Sequence, residues 1–397
     1  MVLAVEKHVP PYAYEYVWFD GRLDVEKLIG AVDTVAAIVP ESLCRFDSRR
    51  MRFGEAGFTA QDVVTECQQE PTCGRTWDIR GGPQVRIDVS HGPSGDSMIV
   101  GVSHVLADGA GLEQYVSLLA DAYNGTLPNL SNNRSVVPIV AIAHLGPATK
   151  DEKWDRHIPS MCLPLPSTGQ EHFCPHVTVP ASIMKPLYDL AKSRSVTLND
   201  VFLTACGRIV ASMLGVNIVP LQCPVNLRPF IDAGPLTVAN MTGVYRVVMD
   251  MDPDDSFSAT LEQVHRKIAV QREQGRHFFN IPSLEKATRR FPAGILRRSI
   301  ERSYQVRPVE YTNLGVLAPI AFSGVNATSA FITGAYGRYP EFPLSISTFS
   351  GATTFATTLE GDQARAEAGE KTLRRVIQEC TDWLAEEGGP DCPPELS

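Results

Sequence analysis

Hydrophobic positions in the first half of the chain switch between strand-like runs and helical spacing. Residues 14–20 are rich in aromatic and β-branched side chains and predict a strand, and apolar positions at helical spacing follow from Val25 to Ala36. A second apolar run, residues 97–103, predicts a buried strand, and an amphipathic helix is expected from Leu112 to Tyr123, ending at Gly125. This pattern predicts a lobe built from strands and helices.

The second half repeats the alternation. Residues 173–179 and 218–224 predict strands, and a long helix is expected over residues 199–214. Near the end of the chain, Leu373 and Trp383 belong to the apolar side of a last helix. Because both halves show the same layout, the sequence predicts two α/β lobes of similar design.

The size of the chain also favours two lobes. Its 397 residues exceed the length at which a single hydrophobic core stops growing. Residues 126–170 are rich in Pro, Ser and Asn and have few periodic stretches, which is typical of a connection between lobes. We therefore expect an N-terminal lobe over residues 1–150, a linker over 151–170 and a C-terminal lobe over 171–397.

Composition and charge narrow the class of protein. The chain is 44% hydrophobic and 20% charged, as soluble globular proteins are, and its net charge of -9 argues against nucleic acid as the main partner. No apolar run approaches the roughly 18 residues that span a bilayer, and the N-terminus does not resemble a signal peptide, so no integral membrane association is expected. The nine scattered cysteines predict reduced thiols and a cytoplasmic location.

Candidate chemistry appears where the apolar run of residues 97–103 ends. The next residues, His104 to Gly109, have the spacing H-x-x-x-D-G, with Asp108 before the glycine. A histidine just past a strand end projects from a rigid support, and its ordinary pKa of ~6.5 suits a general base near neutral pH. Gly109 permits a close backbone approach or a sharp turn. The motif alone is short enough to occur by chance, so a plain strand-end histidine beside an Asp-Gly turn is the alternative.

Further motifs occur in order along the rest of the chain. They are Trp77-Asp78 with Gly82-Pro83 and Arg86, Val196 to Asp200, Asn226 to Pro229, Asn240 to Thr242, and Thr312 to Gly315. Together with the segment from His104 to Gly109 they resemble the superfamily of chloramphenicol acetyltransferase, nonribosomal-peptide condensation domains, alcohol acetyltransferases and polyketide-associated acyltransferases. The resemblance extends over nearly the whole chain.

The resemblance implies a fold and a mechanism. The fold is α/β, with two chloramphenicol-acetyltransferase-like lobes, each an α+β two-layer sandwich, set in a V around an interface tunnel. His104 would deprotonate an alcohol or amine, which attacks a thioester directly, without an acyl-enzyme, a metal or a tightly bound cofactor. Asp108 would be structural and paired with Arg228. Two departures, Ser103 in place of a second histidine and the absence of an Asp-Phe-Gly-Trp-Gly motif, leave the subfamily open.

Three interpretations of the activity remain open on the sequence. The first is an acyltransferase that uses acyl-coenzyme A as co-substrate and a small-molecule acceptor. The second is a natural-product enzyme that takes its acyl chain from a phosphopantetheine-bearing acyl carrier protein. The third, of another class, is a catalytically silent lobe pair that serves as a binding or docking module. His104, Asp108 and Arg228 count against the third, since a scaffold needs none of them.

Weaker signals lie elsewhere in the chain. From Lys286 to Arg307 the sequence is strongly basic, and Arg297 and Arg298 are candidates for docking the phosphates of coenzyme A or an acidic carrier protein; a solvated helix face is the alternative. His172, Cys174 and His176 would share one face of a strand, which superficially suits zinc. Because Pro175 interrupts them and no fourth ligand is spaced suitably, no metal is expected. Cys206 is expected to be a core thiol.

Overall fold

The computed structural model describes residues 11–145, 163–165, 167–232, 234–279, 281–303, 309–339 and 341–388. The strands are β1 (Tyr12–Phe19), β2 (Arg45–Asp47), β3 (Arg52–Gly54), β4 (Val64–Cys67), β5 (Val85–His91), β6 (Asp96–Ser103), β7 (Glu171–Phe173), β8 (His176–Val179), β9 (Ile218–Asn226), β10 (Thr242–Asp250), β11 (Val309–Val316), β12 (Ala321–Phe322), β13 (Val325–Thr333), β14 (Phe342–Phe349), β15 (Ala352–Ala356) and β16 (Leu359–Gly361). The helices are α1 (Val25–Ala36), α2 (Gly109–Asn124), α3 (Val137–Leu145), α4 (Ala181–Ser193), α5 (Leu198–Leu214), α6 (Phe257–Glu273), α7 (Ile281–Arg290), α8 (Ala293–Ser303) and α9 (Gln363–Glu387).

The first half forms a six-stranded sheet in the order β12-β13-β1-β6-β5-β4. Every residue of β6 is buried, because both faces of the sheet are covered. Helices α1 and α2 pack on one face, where Leu28, Val100 and Leu112 belong to one core cluster. The opposite face is aromatic, with Tyr16 stacked on Phe331 at 4.7 Å between ring centres. His104, the residue after Ser103, therefore follows a strand that is held between two packed layers.

One element of this sheet comes from the other end of the chain. β13 pairs antiparallel with β1, in a register that places Tyr16 opposite Phe331. Residues 321–333 fall inside the predicted C-terminal lobe, yet they extend the sheet of the N-terminal half. Long-range strand pairing leaves no local sequence pattern, so periodicity alone cannot assign this segment to its sheet. The predicted boundary near residue 150 lies outside the described residues.

The second half contains a four-stranded sheet in the order β11-β14-β15-β8 and the antiparallel pair β9–β10. Helices α4, α5, α6 and α9 supply the other layer, and their apolar faces meet these strands in one core. Phe202 of α5 packs edge-on against Phe355 of β15, at 5.1 Å between ring centres. Two halves that each combine sheets with helices confirm the predicted α/β class.

Two expectations for the middle of the chain are wrong in detail. The strand predicted over residues 173–179 is broken at Pro175 into β7 and β8, which pair with different partners, β16 and β15. Proline has no N–H to donate to a ladder and marks the break. The Pro/Ser/Asn-rich stretch before residue 150 also contains a helix, α3, which the sequence analysis did not assign. Most of the predicted linker over 151–170 lies outside the described residues.

Within the part of the chain that the structure describes, none of the helices combines the length and the apolar character that crossing a bilayer requires.

Candidate active site

His104 lies immediately after the buried strand β6, in a tight turn. Its main-chain N–H donates to the carbonyl of Pro11 at 2.8 Å, and the N–H of Leu106 donates back to the carbonyl of Ser103 at 2.8 Å. The Ser103 hydroxyl also accepts from the N–H of Val105 at 3.2 Å. These bonds fix the main chain on both sides of the histidine, and the His104 side chain is partly exposed. The position is that of a reactive group on a rigid support.

The imidazole is held by a residue from the second half of the chain. The side-chain nitrogen of Asn240 lies 3.1 Å from Nδ1 of His104 and 3.1 Å from the main-chain oxygen of the same residue. Because Nδ1 faces Asn240, Nε2 is the ring nitrogen left for a substrate. In the sequence, Asn240 stands out only as part of the motif Asn240 to Thr242, with no role attached. Its contact with His104 spans 136 positions of sequence, which no local pattern reveals.

The surroundings of His104 act on its pKa in opposite directions. Burial lowers the pKa, because it penalises the charged imidazolium. The negative charge of Asp108 and main-chain hydrogen bonds at His104 and Ala107 oppose that effect. The net result is a pKa below the ordinary histidine value. The ring is therefore mainly neutral at neutral pH. When it takes up a proton, the charge of Asp108 and the main-chain hydrogen bonds at His104 and Ala107 stabilise the charged form.

Asp108 and Arg228 form the contact that the resemblance implies. Nη2 of Arg228 lies 3.0 Å from Oδ1 of Asp108, and Nη1 lies 3.2 Å from Oδ2. Both side chains are almost fully buried. Nη2 of Arg228 also approaches the carbonyls of Thr237 at 2.8 Å and Ala239 at 2.7 Å, Nε donates to the Thr237 hydroxyl at 3.0 Å, and Nη1 donates to Oδ1 of Asn226 at 3.1 Å. The cation is therefore surrounded by one carboxylate, main-chain carbonyls and side-chain oxygens, as a buried guanidinium requires.

Asp108 also connects three segments by itself. It is the N-cap of α2, where its Oδ1 accepts from the N–H of Gly111 at 2.8 Å. Its Oδ2 accepts from the N–H of Met241 at 2.7 Å and from the hydroxyl of Thr242 at 2.9 Å. Because both carboxylate oxygens are used in this way, Asp108 ties the start of α2 to Arg228 and to residues 241 and 242.

Two glycines allow α2 to begin close to the second half. A Cβ at Gly109 would collide with the side chain of Leu314, and a Cβ at Gly111 would lie 2.8 Å from the main-chain oxygen of Ala239. Gly109 is thus placed by a close approach, one of the two roles expected for it. Gly111 was not singled out from the sequence, although its neighbour is main chain and cannot move aside as a side chain can.

A cavity of about 690 Å³ is lined by both halves of the chain, and its wall includes Pro11, whose carbonyl accepts the main-chain hydrogen bond of His104. Tyr12, which pairs with Ser103 across β1 and β6, forms part of its wall. Arg338 and Glu360 lie opposite, 3.0 Å apart between Nε and Oε2. The cavity therefore has both polar and apolar lining, and Pro11 and Tyr12 connect its wall to the main chain around His104.

The other predicted site residues lie elsewhere. Arg297 lines a separate cavity of about 630 Å³, and Arg298, its neighbour on α8, is exposed. Their role in docking coenzyme A or a carrier protein stays a prediction. His172 stacks on Tyr336, at 4.2 Å between ring centres. Among the described residues, no cluster of three or more His, Cys, Asp or Glu side chains is arranged to hold a metal.

Cys206 is buried in the core of the second half. Burial raises the pKa of its thiol to about 12. A thiol with so high a pKa is protonated and unreactive at neutral pH, as expected of a core residue.

Comparisons of sequence give no relative: no protein-family model and no curated protein matches the chain. Comparisons of structure do. The first condensation domain of the calcium-dependent antibiotic synthetase, in complex with a substrate analogue, superposes with a TM-score of 0.67 at 14% identity, over 99% of this chain and 97% of that chain. The chain has the condensation-domain fold.

Other solved structures agree with this assignment. The polyketide synthase associated protein 5 from Mycobacterium tuberculosis gives a TM-score of 0.66 at 14% identity, over 96% of this chain and 95% of its own. A mutant starter condensation domain of the rhizomide synthetase, in complex with C8-CoA and Leu-SNAC, gives 0.65 at 13% identity, over 99% and 93%. These structures share one fold with this chain, that of condensation domains, which the sequence resemblance included.

Proposed function

We propose that this protein is an acyltransferase that moves an acyl group from a thioester to an alcohol or amine, with His104 as the general base. The observation that carries the proposal is the placement of His104. Its main chain is fixed at the end of β6, Asn240 from the second half contacts its Nδ1, and Pro11, which accepts its main-chain hydrogen bond, lines a cavity shared by both halves. A neutral imidazole on a rigid support where the two halves meet is suited to proton abstraction.

In the proposed reaction, Nε2 of His104 accepts the proton of the acceptor hydroxyl or amine. The freed electron pair attacks the thioester carbonyl, and the carbon–sulfur bond breaks as the tetrahedral intermediate collapses. The proton held on Nε2 then goes to the departing thiolate, so the histidine ends as it began. For Nε2 to act as the base, the neutral ring carries its proton on Nδ1. A protonated Nδ1 cannot accept from the Asn240 amide nitrogen 3.1 Å away, so this tautomer requires that amide to be turned, with its oxygen as the acceptor.

Asp108 and Arg228 act in this proposal as positioning residues. They hold the first turn of α2 against Ala239 and Met241. Asn240, which lies between these two residues, contacts the imidazole. The pair therefore sets the distance between the two halves at the point where His104 and Asn240 meet. A shift of about 1 Å at such a point costs on the order of a hundredfold in rate.

We favour a carrier-bound acyl donor over free acyl-coenzyme A. The structural neighbours include domains of antibiotic synthetases and one described for condensation domain-mediated chain release from the enacyloxin polyketide synthase. Enzymes of that kind take their acyl chains from phosphopantetheine on a carrier protein. Acyl-coenzyme A carries the same phosphopantetheine arm and is the second candidate, supported by the neighbour in complex with C8-CoA.

The test offers the full-length protein two sets of donors, acyl carrier proteins and acyl-coenzyme A, with chains of varied length and a panel of alcohols and amines. Release of the free thiol is measured for the wild type, for His104→Ala and for the control His144→Ala, whose exposed side chain lies on α3. We expect acceptor-dependent release that His104→Ala abolishes and His144→Ala leaves unchanged. Equal release by both variants would exclude His104 as the base, and no release from any donor would favour a silent docking module.

A further inference from the structure

Arginines flank an exposed apolar residue in the turn between β2 and β3. Arg49, Arg50 and Arg52 surround Met51, and all four side chains are exposed. Met51 has a positive φ of 52° and is 47% accessible to solvent. The main chain thus adopts an unfavourable conformation for a non-glycine residue where an apolar side chain is presented to solvent.

The junction of α7 and α8 repeats this arrangement. Phe291 follows Arg289 and Arg290, is 45% accessible, and has the Arg290 guanidinium 5.9 Å from its ring centre. α7 buries none of its residues, although its apolar positions fall on one side. Ile295, near the start of α8, is 54% accessible. Large apolar side chains at this level of exposure, next to cations, indicate a surface that meets something other than water.

The two turns form one surface. A cavity of about 630 Å³ between them is lined by Met51 and Arg49 from the first and by Leu284, Phe291 and Leu296 from the second. Residues 45–54 contain four arginines and one aspartate, and residues 281–303 contain five arginines and one lysine against two glutamates. This surface therefore carries seven net positive charges in a chain whose net charge is -9.

From this surface we infer that the protein binds peripherally to a bilayer of anionic phospholipids through its β2–β3 and α7–α8 turns. Arginine matches phosphate oxygens with paired hydrogen bonds, and each basic residue near an anionic membrane contributes to attraction. Met51, Phe291 and Ile295 would enter the boundary between head groups and acyl chains, as apolar side chains of interfacial helices do. The inference concerns where the protein sits and does not rest on the proposed acyl transfer.

An acidic carrier protein is the other partner that positive charge would suit. The carboxylates of such a protein would pair with the arginines. They would not account for the large apolar side chain that each turn presents at its tip next to arginine. Amphipathic elements with cations beside exposed Phe, Leu and Ile residues are typical of membrane interfaces. The observations therefore favour a lipid surface over a folded acidic protein.

The test is co-sedimentation of the full-length protein with vesicles of phosphatidylcholine alone and of phosphatidylcholine with about one third phosphatidylglycerol. We expect binding only to the anionic vesicles, weakened by salt. Arg50→Glu combined with Arg290→Glu, one change in each turn, should weaken binding by more than about tenfold. Met51→Ser combined with Phe291→Ser should reduce the part of the binding that resists high salt.

The matched control is Lys371→Glu with Arg374→Glu on α9, which makes the same change in net charge at exposed positions. Circular dichroism and thermal unfolding confirm that every variant is folded. An equal loss of binding in the control variant would show that the net charge of the protein, and not these two turns, determines the binding, and it would overturn the inference. So would a wild-type protein that ignores anionic vesicles, or one that binds an acidic carrier protein through these turns and not vesicles.

Discussion

Arg228 donates two hydrogen bonds to the carboxylate of Asp108, at 3.0 and 3.2 Å, across 120 positions of sequence. Asp108 is the N-cap of the helix that follows His104, and Arg228 lies two residues after the end of β9 in the second half. One buried ion pair thus fixes how the two halves meet beside the candidate base. Removing this ion pair should therefore lower both the stability of the protein and its catalytic rate.

The first prediction concerns that pair. Asp108→Ala leaves the Arg228 guanidinium buried without its counter-charge, so the free energy of unfolding should fall by about 3–5 kcal/mol. Urea denaturation of the variant and the wild type measures the difference. The control is Arg374→Ala, which removes an exposed partner of Glu370 on α9 and should cost no more than about 1 kcal/mol. Equal losses in the two variants would contradict the special role of the buried pair.

The second prediction concerns pH. A general base must be neutral to accept a proton, and the pKa of His104 lies below its ordinary value, so the rate should fall only at pH values below about 6.5. The charge of Asp108 raises this pKa, so Asp108→Asn should move the fall in rate to still lower pH. Profiles of kcat/KM against pH test this. Arg228→Lys, which keeps the Asp108 charge, is the control, and a shift in the same direction there would contradict the electrostatic cause.

The third prediction concerns Asn240. Its amide contacts both Nδ1 and the main-chain oxygen of His104, so Asn240→Ala should release the ring without removing the base. We expect kcat to fall by about tenfold, equivalent to ~1.4 kcal/mol, which is the scale of a single hydrogen bond. Steady-state kinetics with the preferred donor provides the measurement. Asn132→Ala, which removes bonds to Val238 only, should have a smaller effect on kcat.

The fourth prediction compares two glycines of α2. Gly111→Ala places a Cβ against the main-chain oxygen of Ala239, whereas Gly109→Ala meets the end of the Leu314 side chain. A side chain can rotate and a main-chain oxygen cannot. Gly111→Ala should therefore lower the free energy of unfolding by about 1–3 kcal/mol, which is more than the loss expected for Gly109→Ala. Leu314→Ala should rescue Gly109→Ala and leave Gly111→Ala unchanged in thermal unfolding. Rescue of both, or of neither, would argue against these contacts.

The fifth prediction concerns Glu15, a buried carboxyl in β1 whose two oxygens lack hydrogen-bond partners. Burial, and secondarily the charge of Glu113, raises the pKa of Glu15 to about 8. The folded chain therefore holds this proton more tightly than the unfolded chain, whose value is about 4.3, and stability should be lost as pH rises from about 4.3 to about 8. Glu15→Gln should remove this loss of stability, which reaches about 5 kcal/mol at high pH.

Thermal unfolding of the wild type and Glu15→Gln at several pH values from about 4 to about 8 provides the check. Glu70→Gln serves as the control, because Glu70 is exposed and bonds to Trp18 at the surface. The difference between wild type and Glu15→Gln should grow with pH, whereas Glu70→Gln should follow the wild type. A constant difference over this range would mean that Glu15 has the same pKa in the folded and unfolded chains, and would contradict the prediction.

The elements that carry the site are predictable from the sequence because their signals are local. The buried run of residues 97–103 and the helix that ends at Gly125 are both present, and Gly125 has the left-handed conformation, with a φ of 72°, that favours glycine at a helix end. The pairing of Asp108 with Arg228 followed from the resemblance, since nothing in composition or periodicity connects residues so far apart.

The parts that the sequence could not supply are those made by contacts between distant segments. The contact of Asn240 with His104, the close approach of Gly111 to Ala239, and the pairing of β13 with β1 each join residues more than 120 positions apart. A hydrophobic pattern reports which face of an element is buried but not which partner covers it. The roles of His104, Arg297 and Arg298 stay predictions until the experiments above are done.

The position of β13 has a consequence for how the protein is made. β1 and β6 emerge early from the ribosome, but the strand that covers the free side of β1 is complete only when residue 333 has been synthesised. Until then β1 is an open edge with unpaired main-chain groups, the kind of edge that recruits other chains. Nascent chains stalled before residue 321 should therefore need a chaperone to stay unaggregated, and the first half expressed alone should not form its native sheet.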